Sequence, residues 1–236
     1  MQQLQRQGQT IDAESYANEI QIVFSQVYLL MALGLVITAV VAAWVAGSQS
    51  LLEFFFSNQA LLIGLFVVEI IVVIALSVAV TKLPPSVAVG LFVVYSALTG
   101  ITLSSIFLVY TDTSIVTTFL ITGGMFGVMS LFGFVTKRDL TKLGSLLTML
   151  LIGFVLALLL NLLLHSTTLY WILTLVGIGI FVGLTAYDTQ RIKYMAASGL
   201  SGGRSRSAIA ILGALRLYLD FINLFLLLLS LFGRRR

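Results

Sequence analysis

Three carboxylic acids interrupt long apolar stretches of the sequence. Glu69 lies in LFVVEIIVVIAL, Asp188 in GLTAYDTQRIK and Asp220 in LRLYLDFINLFL. Charged side chains are costly inside a bilayer, and they usually face a bundle interior and mark an ion or proton pathway. Two carboxylates held close together in a low dielectric do not both ionise readily, so such a pair tends to share one proton. Asp188 and Asp220 are therefore a candidate pH sensor and cation-binding pair.

The cation that we expect at this pair is calcium. Calcium prefers hard oxygen ligands, which carboxylates supply. When both groups are protonated or share a proton, the pair would join two helices by a hydrogen bond. When both are ionised, the carboxylates would repel each other and become cation ligands.

The spacing of the two aspartates predicts that they lie at one depth. The polar, glycine-rich segment 198–207 joins the sixth and seventh apolar stretches, and residue 204, midway between the aspartates, lies inside it. In an antiparallel helical hairpin, equal distance from the turn means equal depth. With helix ends near Ser198 and Ala208, each carboxyl would be roughly 15–18 Å from the cytoplasmic helix ends. Sequence leaves the rotation of the helices open.

A purely structural role for both aspartates is the alternative. Arg216 precedes Asp220 by four residues and could pair with it on one helix face. Asp188 could likewise pair with Arg191. Asn223 follows on the same face as Asp220, either as a further ligand or in a hydrogen bond between helices.

Glu69 has no basic residue near it in sequence. It either faces the same cavity as the aspartates or is a protonated acid bonded to neighbouring backbone. His165 is the single histidine and there are no cysteines, which excludes a multi-histidine centre and thiolate metal sites within one chain. No HExxH, GxSxG or P-loop motif is present, so we expect no enzyme and no cofactor. An intramembrane aspartyl protease would need two such aspartates, but the usual glycine-flanked motif is absent.

Composition identifies the elements that must position these groups. The 236 residues are 59% hydrophobic and 9% charged, with a mean hydropathy of +1.11. A soluble domain carries about 25% charged residues, so this is a polytopic integral membrane protein of the all-α class. Residues 1–22 form a cytoplasmic N-terminal tail and 23–236 a single transmembrane bundle domain. Its seven predicted spans are 23–46, 60–80, 86–109, 114–136, 143–164, 169–198 and 208–232.

Basic residues predict the orientation of the chain, because lysine and arginine concentrate on the cytoplasmic side. The tail and the second, fourth and sixth connections carry them, whereas the first, third and fifth carry none. The N-terminus is therefore predicted to be cytoplasmic. A full crossing by the last span, which we favour over a re-entrant segment, puts 234–236 outside. The basic residues used are Arg6, Lys82, Lys137, Arg138, Lys142, Arg191, Lys193, Arg204 and Arg206.

Small residues recur at four-residue spacing within the spans. Such residues let helix backbones approach closely in a membrane, so they predict a tightly packed bundle. They are Ser96, Gly100 and Ser104; Gly123 and Gly127; and Gly179 and Gly183.

Four motifs together resemble the Bax inhibitor family, also called the transmembrane BAX inhibitor motif family. They are AYDTQ, LYLDFINLF, SALTGITLSSIF and MFGVMSLFGFVTKRDL. The resemblance is strongest to the bacterial inner-membrane branch. It implies a seven-helix bundle with the last helix central, and a pH-sensitive calcium leak controlled by an aspartate pair. Asp188 and Asp220 match that pair, and Glu69 matches an acidic position of some members.

One departure from the family concerns a basic residue, called the latch here, that would bind the aspartate pair and hold it closed. Some bacterial members have an arginine near the cytoplasmic end of the second helix. Here that stretch reads SVAVTKLPP, so Lys82 or Arg216 would have to serve, or the latch is missing.

The sequence thus predicts a passive, pH-sensitive leak for calcium or another cation, in the bacterial inner membrane. The alternative is a non-transporting regulator that binds other membrane proteins, such as a membrane protease, because so few polar groups make a poor aqueous pore. The expected partners are the lipid bilayer, a cation and, for the regulator, other membrane proteins. No nucleic-acid partner is expected.

Overall fold

The computed structural model describes residues 2–202 and 205–236, and the side chains within 17–198 and 205–236. Arg6, Arg204 and the predicted midpoint of the hairpin lie outside the described side chains. Within the described ranges the chain forms helices joined by short connections. They are α1 (Gln2–Ala46), α2 (Gln49–Phe56), α3 (Gln59–Ala79), α4 (Pro85–Leu103), α5 (Ile106–Val109), α6 (Asp112–Val135), α7 (Thr141–Leu164), α8 (Thr167–Gly202) and α9 (Arg206–Phe232).

Among the described residues, seven segments are long and apolar enough to cross a membrane, as predicted. They are Ala17–Ala46, Gln59–Ala79, Pro85–Val109, Asp112–Val135, Thr141–Leu164, Thr167–Ser198 and Arg206–Phe232. Two features were not predicted. Residues 2–22, expected as a tail, are helical and continuous with the first span, and the short helix α2 occupies the first connection.

The third crossing segment is broken between α4 and α5. The hydroxyl of Ser104 donates to the carbonyl of Ile101 at 2.7 Å, and that of Ser105 to Thr102 at 2.9 Å. Serine hydroxyls that bond to the preceding turn compete with the helical hydrogen-bond pattern and bend helices. Hydropathy does not register this break, because the surrounding residues stay apolar.

The last helix, α9, is the centre of the bundle, which confirms the architecture that the resemblance implied. In its most apolar stretch 67% of the residues are buried, whereas α8 has 44% and the other spans less. It packs against α8, α1, α6 and α4. The middle of α9, with Asp220, is therefore held inside the bundle, whereas Arg206 and Phe232 at its ends are exposed.

Two glycines seat neighbouring helices on α8 beside Asp188. A Cβ at Gly133 of α6 would lie 2.2 Å from the carbonyl oxygen of Ala186, and one at Gly144 of α7 would lie 2.2 Å from the ring of Tyr187. A side chain at Gly133 would displace the backbone of α8, and one at Gly144 would displace the ring of Tyr187. The residues next to Asp188 are thus clamped from two sides.

The small residues predicted to mediate close packing behave in two ways. Gly100 meets the carbonyl of Thr38 at 2.8 Å, and Gly183 meets Leu147 at 2.7 Å, measured from a built Cβ. At Gly123, Gly127 and Gly179 nothing lies within 4 Å, so the packing prediction was wrong there. Those three glycines point into open space because of how their helices are rotated.

The C-terminal residues are fixed at the end of the bundle opposite to the α8–α9 connection. The amide of Thr111 donates to the carbonyl of Arg234 at 3.0 Å, and Arg236 donates to Asp112 at 2.7 Å. The α5–α6 connection that holds them is one of the three that lack basic residues. Because α9 is continuous up to this point, it has the geometry of a full crossing and not of a re-entrant segment.

Candidate functional site

The two aspartates of α8 and α9 lie at equal distances from the connection between these helices. From Asp188 to the end of α8 at Gly202 there are as many residues as from Arg206, the start of α9, to Asp220. At about 1.5 Å per residue, both lie roughly 20 Å from those helix ends. The distance exceeds the predicted one because both helices extend further into the connection than expected.

An ion pair joins the two helices at this depth. Asp188 and Asp220 are 7% and 5% exposed. Arg216 of α9 donates from Nη1 to Oδ1 of Asp188 on α8, at 3.1 Å. Arg216 does not form an ion pair with Asp220 within α9, as the structural alternative assumed. It reaches across to Asp188 on the neighbouring helix instead.

Asp220 is left beside this ion pair without a complete set of partners. Its Oδ2 is buried and, like Nε of Arg216, has no hydrogen-bond partner among the described residues. The charged groups that act on it are the carboxyl of Asp188 and the guanidinium of Arg216. Asp188 is also within reach of the charge of Arg191. The site therefore combines two carboxyls and one guanidinium that is bonded to Asp188 alone, and Oδ2 of Asp220 has no partner among the described residues.

Polar residues that follow Asp188 anchor this part of α8. The buried side chain of Gln190 accepts from the amide of Leu140 and donates to the carbonyl of Arg138, both at 2.8 Å. It thereby fixes the α6–α7 connection onto α8. Gln190 was not among the predicted site residues, although it stands in AYDTQ, one of the motifs that carry the family resemblance.

A chain of hydroxyls leads away from the same turn. Thr189 is hydrogen bonded to Ser130 of α6 at 2.9 Å, and Ser130 to Tyr28 of α1 at 2.5 Å. Thr189 also donates to the carbonyl of Thr185 at 2.7 Å. This chain links α1, α6 and α8 next to the acid pair, and no sequence motif indicated it.

Glu69 lies elsewhere, on the α3–α4 side of the bundle. Its carboxylate accepts a hydrogen bond from the hydroxyl of Thr102 of α4 at 2.5 Å. The partner is thus a side chain, whereas one of the two expectations from sequence was a bond to neighbouring backbone. The groups that feel its charge are Tyr95 and Tyr218. Glu69 is not among the groups that act on Asp188 or Asp220.

The remaining accessory residues do not reach the acid pair in this arrangement. Asn223 donates to the carbonyl of Leu219 within its own helix at 2.8 Å, so it is neither a ligand nor a link between helices here. Lys82 is exposed in the α3–α4 connection. Of the two latch residues considered, Arg216 is the one that contacts the pair.

The donor set is small for a resident calcium ion. Among the described residues no group of three or more histidine, cysteine, aspartate or glutamate side chains is placed to hold a metal. Calcium takes 6–8 oxygen ligands, and Arg216 already occupies one of the two carboxyls. The site does not fit a permanently bound calcium ion, so we treat calcium as a transported ion.

Comparison with known proteins identifies the family. The family profile described as Bax1-I, Inhibitor of apoptosis-promoting Bax1, matches residues 20–236. Inner membrane protein YbhL of Escherichia coli K12 is 52% identical over 218 residues, covering 92% of this chain and 93% of YbhL. A Borreliella burgdorferi protein is 43% identical over 212 residues (90% and 91% of the two chains), and a Deinococcus radiodurans protein 38% over 218 (92% and 93%). This chain is an integral inner membrane protein and belongs to the Bax inhibitor family.

Proposed function

We propose that this protein is a pH-sensitive passive leak for cations, calcium foremost, and that Asp188 and Asp220 gate it together with Arg216. The observation that carries the proposal is an ion pair between Arg216 of α9 and the buried Asp188 of α8, beside a carboxylate oxygen of Asp220 that has no hydrogen-bond partner among the described residues. Intramembrane acids of this kind are costly and usually mark ion pathways. The family resemblance supports the same residues.

Charge balance suggests how the gate works. With Asp188 ionised, Arg216 charged and one proton on Asp220, the cluster is neutral and the bridge holds α8 against α9. A proton added to Asp188 would leave the guanidinium unpaired. Loss of one partner costs about 3–5 kcal/mol in a fully buried ion pair, and less here because Arg216 is partly exposed. An arrangement that admits water and cations to the cluster relieves this cost. Because the bridge needs ionised Asp188, it is lost as the pH falls, and flux rises. This direction is the reverse of the one expected from sequence, where protonation joins the helices, because Arg216 and not a shared proton bridges α8 and α9.

The test is calcium flux into liposomes that contain the purified protein, across about pH 5 to 8. Asp188→Asn removes the ion pair, so its flux is expected to be high and independent of pH. Asp220→Asn keeps the bridge and supplies a neutral side chain, so its flux is expected to stay low at the alkaline end. If both variants matched the unmodified protein in flux and in pH dependence, the gating mechanism would be wrong.

The second candidate function is a non-transporting regulator that binds other membrane proteins. The observation in its favour is the apolar enclosure of α9, where Leu217, Leu224 and Ala214 are fully buried around the few polar groups. Flux no greater than that of empty liposomes at every pH, together with one copurifying membrane protein, would replace the leak with this function.

A further inference from the structure

A long apolar groove runs between α1 and α6 on the flank of the bundle. Its volume is about 980 Å³, and its floor includes Phe221 of α9. Most of its lining is apolar, as at Met31, Ala32 and Phe126. The polar lining residues are Gln21, Ser25, Tyr28 and Ser130. They lie on the segments of α1 and α6 that lead to the predicted cytoplasmic face.

The groove suits hydrocarbon and not water. A buried water needs two to four polar partners, and the apolar length of this groove does not offer them. Gly123 and Gly127 of α6 open into it, with nothing within 4 Å of a built Cβ. From Gly123 to Phe134, the lining part of α6 is roughly 16 Å long. Half of a hydrocarbon core of about 30 Å has this length, so the groove matches one leaflet.

The end of the groove toward the predicted cytoplasmic face is basic. Lys193 donates to the carbonyl of Phe134, a lining residue, at 2.7 Å, and its ammonium lies 5.2 Å from the centroid of that ring. Lys137, Arg138 and Asp139 follow α6 directly and are exposed, with a net charge of +1. Glu19, the nearby acid of α1, is paired with Arg206. The positive charge at this end complements an anionic headgroup at the cytoplasmic surface.

We propose that this groove binds one acyl chain of an anionic phospholipid from the cytoplasmic leaflet. The apolar lining takes the chain, and the basic end takes the headgroup phosphate. The proposal does not depend on ion flux, and it holds equally for a leak or a regulator. It does place a lipid against Ser130, which is hydrogen bonded to Thr189 next to Asp188, and against Phe221, the neighbour of Asp220.

Native mass spectrometry of the delipidated protein tests the site. Phosphatidylglycerol and phosphatidylcholine with identical acyl chains would be titrated separately in a mild detergent. The unmodified protein is expected to bind one phosphatidylglycerol more tightly than phosphatidylcholine. Gly127→Leu fills the groove and is expected to weaken that binding about tenfold, which corresponds to about 1.4 kcal/mol.

Gly124→Leu is the matched control. Gly124 also has nothing within 4 Å of a built Cβ, but it does not line the groove, so its variant should bind like the unmodified protein. Ala32→Phe fills the groove from α1 and replaces Gly127→Leu if that variant misfolds. Equal binding by the groove-filling variants and the control overturns the proposal, as does equal binding of the two lipids. A dimer that Gly127→Leu dissociates without loss of lipid would make the groove an interface between two copies and also overturn it.

Discussion

The two faces of the central helix α9 carry polar groups of different kinds. Toward α8 it presents Arg216 and Asp220, which are ionisable and incompletely paired. Toward α1 and α4 it presents Tyr218, whose hydroxyl is hydrogen bonded to Thr38 at 2.7 Å. Thr38 in turn donates to the carbonyl of Ser96 at 2.9 Å. Since a hydroxyl has one proton, Tyr218 must be the donor to Thr38.

The difference shows what each face can do. On the Tyr218 face the groups of α9, α1 and α4 are neutral and mostly hydrogen bonded, with Oγ1 of Thr99 the described exception, and Glu69 of α3 is the ionisable group nearby. An unpaired neutral hydroxyl costs about 1–3 kcal/mol, whereas an unpaired buried charge costs more and depends on pH. The Tyr218 face therefore holds helices together under all conditions. The acid-pair face can change its charge, and so it is the face that can switch.

Arg216→Met should have the largest effect on stability. It removes the partner of Asp188 and leaves a buried carboxylate, which is expected to lower the free energy of unfolding by about 3 kcal/mol. Thermal unfolding in detergent measures the change. In the double variant with Asp188→Asn, most of the loss should be recovered, because no unpaired charge remains.

Arg206→Met is the control for this effect. Arg206 forms an exposed ion pair with Glu19, and such pairs contribute less than about 1 kcal/mol. Equal losses at the two arginines, or additive effects of the Arg216 and Asp188 changes, would contradict the view that the buried pair is coupled.

Tyr218→Phe should have a smaller effect, and on stability alone. It removes one neutral donor while Thr38 keeps its bond to Ser96, so we expect a loss of about 1 kcal/mol. The pH profile of flux should not move. Tyr194→Phe, on the exposed surface of α8, is the matched control and should leave stability unchanged. A displaced pH profile in Tyr218→Phe would mean that the two faces of α9 are not independent.

The positions along the helices could be predicted from sequence, but their rotations could not. Hydropathy located seven spans, and spacing alone placed Asp188 and Asp220 at one depth. In a membrane both the lipid-facing and the core-facing surfaces are apolar, so hydrophobic periodicity carries little information on rotation. Rotation decides that Arg216 reaches Asp188 on α8 and not Asp220 one turn further along its own helix.

The glycines illustrate the same limit. Gly100 and Gly127 stand in similar four-residue patterns, yet Gly100 touches the backbone of α1 and Gly127 opens into the groove. The central position of α9 came from the family resemblance, because its hydropathy resembles that of the other spans. The role of Gln190 depends on where the α6–α7 connection returns, which no local pattern encodes.

Glu69→Gln should have the smallest effect on stability and on flux, and it tests most directly whether the two faces of α9 act independently. A glutamine side-chain oxygen can still accept the hydrogen bond from Thr102, so stability should change by less than about 0.5 kcal/mol. Glu69 acts on Tyr95 and Tyr218 and not on the acid pair, so the pH profile of calcium flux should match that of the unmodified protein. If this variant instead displaced the profile as strongly as Asp188→Asn, Glu69 would belong to the conduction path. The gate would then extend through α9 from one face to the other, and the Tyr218 face would have to open as well.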